Sequence, residues 1–178
     1  MNEKKSPLKI ITLGNPTLRQ KASELSVSKM KSPEVQKFIQ DMAVTLKVVG
    51  NGAALAANQV DKLWQIIVIE LENMSAKVLI NPKIEKLAGK ELLAFEGCLS
   101  VPGYWGQVWR KERIVVEAFN QHGEKIRVKA SGFNARVLQH EIDHLHGIVF
   151  IDRMEDMSTF MTTEELERQF EKGRKKDA

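Results

Sequence analysis

The sequence predicts an α+β fold: mainly antiparallel sheets packed around a central helix carrying His140-Glu141-Ile142-Asp143-His144, with a further helix at the C-terminus. Apolar segments with a period of two and segments with a period of 3.6 both occur, but they do not alternate regularly as in a parallel α/β sheet. Two alternating segments near residues 114–128, joined by a short polar turn, have the pattern of a β-hairpin. A length of 178 residues with 43% hydrophobic content suffices for one core, and no repeat, low-complexity stretch or linker divides it. Residues 1–178 are therefore expected to form a single domain.

Ser32-Pro33-Glu34 places an N-cap before a proline at the first helical position, and Val35, Phe38, Ile39, Met42 and Leu46 recur at helical spacing to about Val49. Gly50-Asn51-Gly52 ends that helix. Gln65-Ile66-Ile67-Val68-Ile69 has the β-branched density of a buried strand, and Val78-Leu79-Ile80 before Asn81-Pro82 reads as a second, short one. Ile114, Val116 and Ala118 alternate with Val115, Glu117 and Phe119, then Ile126 and Val128 with Arg127 and Lys129, across a turn at Asn120 to Gly123. From about Phe133 to His146 the period turns helical and stops at Gly147, which suits a left-handed C-terminal cap. Thr162 and Glu165 have the spacing of a capping box for the last helix.

Charged residues make up 28% of the chain, no apolar run approaches the ~18 residues of a membrane span, and MNEKKSPLKI lacks the apolar segment of a secretion signal. A cytoplasmic protein with no membrane association is expected. The single cysteine, Cys98, excludes an internal disulfide. The net charge of +4 suits mild attraction to nucleic acid rather than a dedicated surface for it, and much of the excess lies in residues 171–178, EKGRKKDA.

His140-Glu141-Ile142-Asp143-His144 is an H-E-x-x-H pattern. Residues four apart lie about 40° apart around a helix, so both imidazoles can reach one metal ion. Glu141, about 100° from His140, can stand beside that ion as a general base without joining the ligands. A catalytic zinc-like site takes three protein ligands. The extended motif ending in a third histidine fails because Phe150 occupies that position. Glu164 or Glu165 are candidates by distance, although both also read as first-turn residues of the last helix. Cys98 is the remaining soft ligand, and taken alone it reads as a small buried hydrophobe. Phe133, Arg136 or Val137, His140 and His144 form one helical stripe that would give the ion an apolar approach.

Three segments occur in order: Gly52-Ala53-Ala54-Leu55-Ala56-Ala57-Asn58-Gln59, Glu96-Gly97-Cys98-Leu99-Ser100 and Gln139-His140-Glu141-Ile142-Asp143-His144-Leu145. Together they resemble the signature motifs of peptide deformylases, and the resemblance extends from Gly14-Asn15-Pro16 to Asp152-Arg153-Met154. It implies a hydrolase that removes the formyl group from the N-terminal formylmethionine of nascent polypeptides and releases formate. It implies Cys98, His140 and His144 as metal ligands, Glu141 as the catalytic acid–base, and Gln59 with the Leu99 N–H as donors to the formyl oxygen. Gly52, Ala53, Ala54, Gly97 and Phe133 become substrate-binding residues, the first three by pairing with the peptide as a strand. Fe(II) is the implied ion, with Zn(II), Ni(II) or Co(II) as substitutes. The expected partners are formylmethionyl peptides and, through the basic tail, a transient contact with the ribosome, with a monomer as the expected state.

The chain departs from the family pattern at Ala54, where glycine is common and a left-handed backbone would strain alanine, and at Trp105 and Trp109, where arginine and proline are usual. Trp105 is expected near the path of the substrate chain as it leaves the ion. Glu96 and Arg110 match a family pair that braces the Cys98 loop, Asp143 is expected to orient its neighbours, and His122 and His146 point away from the ion. The rival readings are an endopeptidase with Glu164 or Glu165 as third ligand, and a binding module without turnover.

Overall fold

Ile66–Ile69 lacks the polar–apolar alternation of a half-exposed strand because both of its faces are buried. In the computed structural model, which describes residues 6–71 and 73–174, this strand is β2 and lies between β1 (Ala54–Ala56) and β3 (Val78–Cys98). The sheet continues through β4 (Val101–Phe119) to β5 (Lys125–Ser131), every pairing is antiparallel, and the short β6 (Met161–Thr162) joins β4. Four α-helices complete the expected α+β architecture: α1 (Val27–Met30), α2 (Pro33–Val49), α3 (Gly132–Leu145) and the C-terminal α4 (Thr163–Arg174).

Alternate residues of the central strands serve different helices. Ile67, Ile69 and Leu79 pack in one cluster with Ala135, Leu138, Ile142 and Leu145 of α3. Ile66, Val68, Val78 and Ile80 pack in another with Val35, Ile39, Met42 and Leu46 of α2. Each such side chain contributes roughly 1.5–3 kcal/mol on full burial, so α3 is held as a core element and not as a surface helix. The ends of α2 are as expected: Ser32 Oγ accepts the Val35 N–H at 3.4 Å, and Gly50, at φ 77°, donates to Leu46 O at 3.2 Å. At α4 only half of the capping box forms. Thr162 Oγ1 accepts the Glu165 N–H, while the Glu165 carboxylate pairs with Arg168.

The short strand expected at Val78–Ile80 instead runs on to Cys98. Asn81-Pro82 bends it without ending it. Asn81 adopts φ 50°, its carboxamide bonds Leu25 N and Leu25 O at 2.9 and 2.8 Å, and the register with β4 slips between Ile80 and Lys83. β3 and β4 then form one long hairpin whose tip is Leu99-Ser100, so that Cys98 pairs with Val101 across the tightest point. Ala54 lies in the strand β1 and does not have a positive φ, so the strain a left-handed backbone would impose there is absent.

The segment before α1 is a strap across the molecule. Ile11 N–H bonds Gln59 O, Leu13 N–H bonds Ser100 O and Ala22 N–H bonds Leu145 O, at 2.8, 2.8 and 2.9 Å. Residues 1–5, where an apolar leader is not expected, and residues 175–178 of the basic tail lie outside the described residues. No helix among the described residues is long and apolar enough to cross a membrane.

The strap also explains Gly147, which follows α3 at φ 76° and whose missing Cβ would lie 2.6 Å from Arg19 O. Gly147→Ala combines a left-handed penalty of about 1–2 kcal/mol with a backbone clash. The variant is expected to lose at least about 2 kcal/mol in urea unfolding; an unchanged midpoint would show that the strap moves aside freely.

Candidate metal centre and cleft

Burial of α3 means that its polar side chains need partners, and one carboxylate, Glu96, bonds two of them. Glu96, near the end of β3, accepts both arms of the Arg110 guanidinium at 3.0 Å, Arg136 Nη1 at 2.8 Å and His140 Nδ1 at 2.9 Å. Asp143 accepts from Arg110 and, through both oxygens, from Arg153. The expected Glu96–Arg110 brace and the orienting role of Asp143 thus belong to one network. With Nδ1 bonded to Glu96, His140 turns Nε2 towards the hairpin tip.

At that tip Cys98 Sγ lies 3.2 Å from His144 Nε2, and Sγ with one ring nitrogen from each of His140 and His144 fall within 4.8 Å of one another. Among the described residues no other group of His, Cys, Asp or Glu is arranged this way. Glu164 and Glu165 sit in the first turn of α4, which removes the structural basis of the endopeptidase reading. His122 is in the exposed turn before β5, and His146 Nδ1 bonds Ile142 O at 2.8 Å. The sulfur accepts from Gln59 Nε2 and from the Ser100 N–H, each at 3.4 Å.

Burial and close pairing shift the ionisable groups around the cluster strongly. Burial pushes the His140 pKa down, but hydrogen bonds to Cys98 and Glu96 outweigh it and raise the ring to about 10. Burial and the charge on His140 hold His144 well below its ordinary value, so its ring stays neutral and its lone pair free. Burial works to raise Glu96, yet His140 and Arg110 bring it down to about 2. Burial raises Glu141 to about 7, helped by Glu96 and opposed by His140 and the Ala56 backbone, and its Oε2 has no hydrogen-bond partner among the described residues. A soft sulfur and two imidazole nitrogens, at separations comparable to two metal–ligand bonds of about 2.0–2.3 Å each, fit a divalent ion.

The cluster opens into a cleft of about 630 Å³. Gly52, Ala53 and Ala54 line one side, Gly97, Cys98 and Leu99 another, and Gln59, Val137, His140 and Glu141 lie between them. Gln59 belongs to the 3-10 turn Ala57–Val60, where its Oε1 accepts the Ala56 N–H at 2.9 Å and its Nε2 reaches Cys98 Sγ and Ser100 Oγ. Phe133 is 63% exposed and forms a rim, not the floor expected from the stripe; His144 is fully buried and does not line the cleft. Arg136 is a tie, bonding Leu92 O, Val108 O and Glu96. A guanidinium on a buried helix face needs an acid, a signal that pointed to Glu96. Asn58 Nδ2, which donates to His144 O, carried no comparable signal. Trp105 lines the cleft, whereas Trp109 is 44% exposed and does not.

An antiparallel α+β frame that presents a thiol and two imidazoles beside an unpaired carboxylate defines a metal-dependent hydrolase. A family model for polypeptide deformylase matches residues 7–160. The peptide deformylase of Thermomicrobium roseum is 43% identical over 158 residues, covering 84% of this chain and 87% of that protein. The crystal structure of a peptide deformylase from Synechococcus elongatus in complex with actinonin superposes with a TM-score of 0.80 at 40% identity, over 89% of this chain and 85% of that one. A Met-Ala-Ser-bound peptide deformylase from Acinetobacter baumannii gives 0.77 at 30% identity, over 85% and 100%. With most of its length matched in all three comparisons, the chain belongs to the peptide deformylase family, metal-dependent enzymes that remove the N-formyl group from nascent peptides.

The lowered Glu96 pKa sets a pH dependence. A carboxylate depressed from 4.5 to about 2 contributes stability that is complete above pH 4.5 and is lost as pH falls through about 2. The contribution is on the order of 3 kcal/mol at most. Urea unfolding between pH 5 and pH 2 should show this loss in the wild type, and Glu96→Gln should be weaker at neutral pH with a flatter profile; parallel profiles would show that Glu96 is not the titrating group.

Proposed function

We propose that Cys98, His140 and His144 hold one divalent metal ion, that Glu141 carries the proton, and that Gln59 and Leu99 donate to the formyl oxygen. The observation that carries this reading is the convergence of one sulfur and two ring nitrogens within 4.8 Å, beside a buried carboxylate with an unpaired oxygen. When bound, the ion supplies Lewis acidity that lowers the pKa of water towards neutrality. Glu141 takes a proton from the water that adds to the formyl carbon and delivers it to the amine nitrogen as the C–N bond breaks, so that formate and a free N-terminus leave. A carboxyl raised to about 7 is suited to both transfers near neutral pH. Negative charge grows on the formyl oxygen during addition, and the Gln59 amide with the Leu99 N–H offsets it; losing one such donor costs about 2.7–4 kcal/mol.

Formylmethionyl peptides enter along Gly52, Ala53 and Ala54, and the edge of β1, which among the described residues pairs with β2 alone, supports addition of the peptide as a strand. Gly97 and Phe133 flank the bound chain. The native ion is Fe(II), with Zn(II), Ni(II) or Co(II) able to replace it; the mixed thiolate–imidazole set is compatible with Fe(II) and Zn(II), and the preference rests on the family resemblance. Residues 1–178 act as one catalytic domain, supported by one sheet that draws its strands from residues 54–162, and as a monomer. The cytoplasm is the site of action, since a cysteine that must stay a thiolate ligand suits a reducing compartment. The direct test is formate release from formyl-Met-Ala-Ser by protein purified anaerobically with Fe(II). Absence of formate from protein with a full complement of iron sinks the proposal.

Three ligands leave no redundancy, so Cys98→Ala and His144→Ala are each expected to lose bound metal and activity together. Stoichiometric metal and full activity in Cys98→Ala would remove the sulfur from the site. Glu141→Ala should retain its metal by elemental analysis and lose most of its turnover; loss of the metal instead would make Glu141 a ligand. Deleting residues 171–178 should leave cleavage of short peptides nearly unchanged while weakening salt-sensitive ribosome binding, and equal affinity of both forms would reduce the tail to a solvated end.

A further inference from the structure

Trp105 stands opposite Gly97 in the β3–β4 register, one residue before Cys98. A Cβ on Gly97 would lie 3.0 Å from three different ring atoms of Trp105, so the indole presents its flat side to bare backbone. Its Nε1–H donates to Thr163 Oγ1 at 3.0 Å, and Thr163 is the first residue of α4. The backbone is held from the same side, because Trp105 pairs with Met161 of β6. Beside it Tyr104 stacks on Phe160, with ring centroids 5.1 Å apart and planes 9° apart. The segment from Phe160 to Thr163 supplies none of the proposed ligands, yet it braces one wall of the cleft.

That wall has a definite chemistry. Aromatic residues are only 6% of the chain, yet Phe95, Tyr104, Trp105 and Phe133 all line this cleft. Arg136, the guanidinium that also lines it, is already engaged by Glu96 and by backbone carbonyls. Glu164 in the first turn of α4 adds negative charge close to Thr163, whereas the Glu165 carboxylate is paired with Arg168. An acidic substrate side chain against this wall loses water without gaining a partner, while an apolar one gains a flat face.

We propose that Trp105, held in place by Thr163, is a specificity-determining wall that selects an apolar side chain downstream of formylmethionine, with the start of α4 as its positioning element. The inference rests on the deformylase reading of the same cleft. Thr163 also lines the cleft, and through its hydrogen bond it positions Trp105, so its loss lets the indole turn and blurs the selection.

The test uses metal-loaded wild type, Trp105→Arg, Trp105→Phe, Thr163→Val and Thr163→Ser on formyl-Met-Phe-Ala, formyl-Met-Glu-Ala, formyl-Met-Ala-Phe and formyl-Met-Ala-Glu. The wild type is expected to favour Phe over Glu at one of the two positions by about tenfold or more in kcat/KM, carried by KM. Trp105→Arg should cut that ratio about tenfold and Thr163→Val severalfold, while Trp105→Phe and Thr163→Ser, which keep the ring and the hydroxyl, should retain it. A ratio unchanged in Trp105→Arg, a loss in Thr163→Ser equal to that in Thr163→Val, or a change confined to kcat overturns the proposal. Failure of one Trp105 variant to fold leaves the Thr163 pair to decide. Wild type that releases formate with no Phe preference at either position overturns this inference alone, whereas wild type that releases none from any peptide overturns the deformylase assignment as well.

Discussion

Ionising a carboxylate in a protein interior is costly unless positive groups and hydrogen-bond donors surround it. Glu96, 5% exposed, meets that requirement with a guanidinium from β4 and with a guanidinium and an imidazole from α3. The same bonds therefore join three elements at one point. Asp143 extends the arrangement through Arg110 to Arg153, so the buried carboxylates at 96 and 143 are matched by the buried guanidiniums at 110 and 136. Sliding the hairpin along α3 by one residue would unpair several of these charges together. Cys98 lies two residues beyond Glu96, so the network that holds the hairpin also sets the distance from sulfur to imidazole.

The electrostatics of the centre follow from that junction. Glu96 and Cys98 together draw a proton onto His140 strongly enough to overcome burial, while His144, without a carboxylate partner, remains neutral. Under the proposed ligand set, the sulfur and the two ring nitrogens would hold a dication in place of the His140 proton. Glu141 follows His140 in sequence but faces a different environment, with one oxygen unpaired inside a closed surface. Two neighbouring residues on one helix meet different surroundings because only His140 bonds Glu96.

Features governed by local rules were readable in the chain. The α2 caps at Ser32 and Gly50, the end of α3 at Gly147 and the side-by-side imidazoles of His140 and His144 depend on dihedral preference and helical period. The continuation of β3 past Asn81-Pro82 was not readable, because most of residues 83–93 are exposed and carry no buried alternation, and because a residue pair that usually stops a strand here only bends it. Cys98 was reached through family resemblance, since spacing cannot bring a hairpin tip to a helix 42 residues away in sequence. Arg136 was grouped with an apolar stripe because periodicity reports which face is buried, not what a buried cation bonds to. Trp105 and Thr163 meet across 58 residues through one hydrogen bond, a contact with no sequence signature.

The strap places a constraint on when the enzyme can exist. Its main-chain bonds from residues 11, 13 and 22 reach residues 59, 100 and 145, one in each segment that forms the site. The strap leaves the ribosome before its partners and must therefore wait for the last of them. At a synthesis rate of about 5–20 residues per second, the interval between Ala22 and Leu145 is roughly 6–25 s. During that time the strap has no native surface to lie on, and closing such long loops slows folding further. An enzyme whose substrates are chains still being made can close its own strap only once Leu145 has been made.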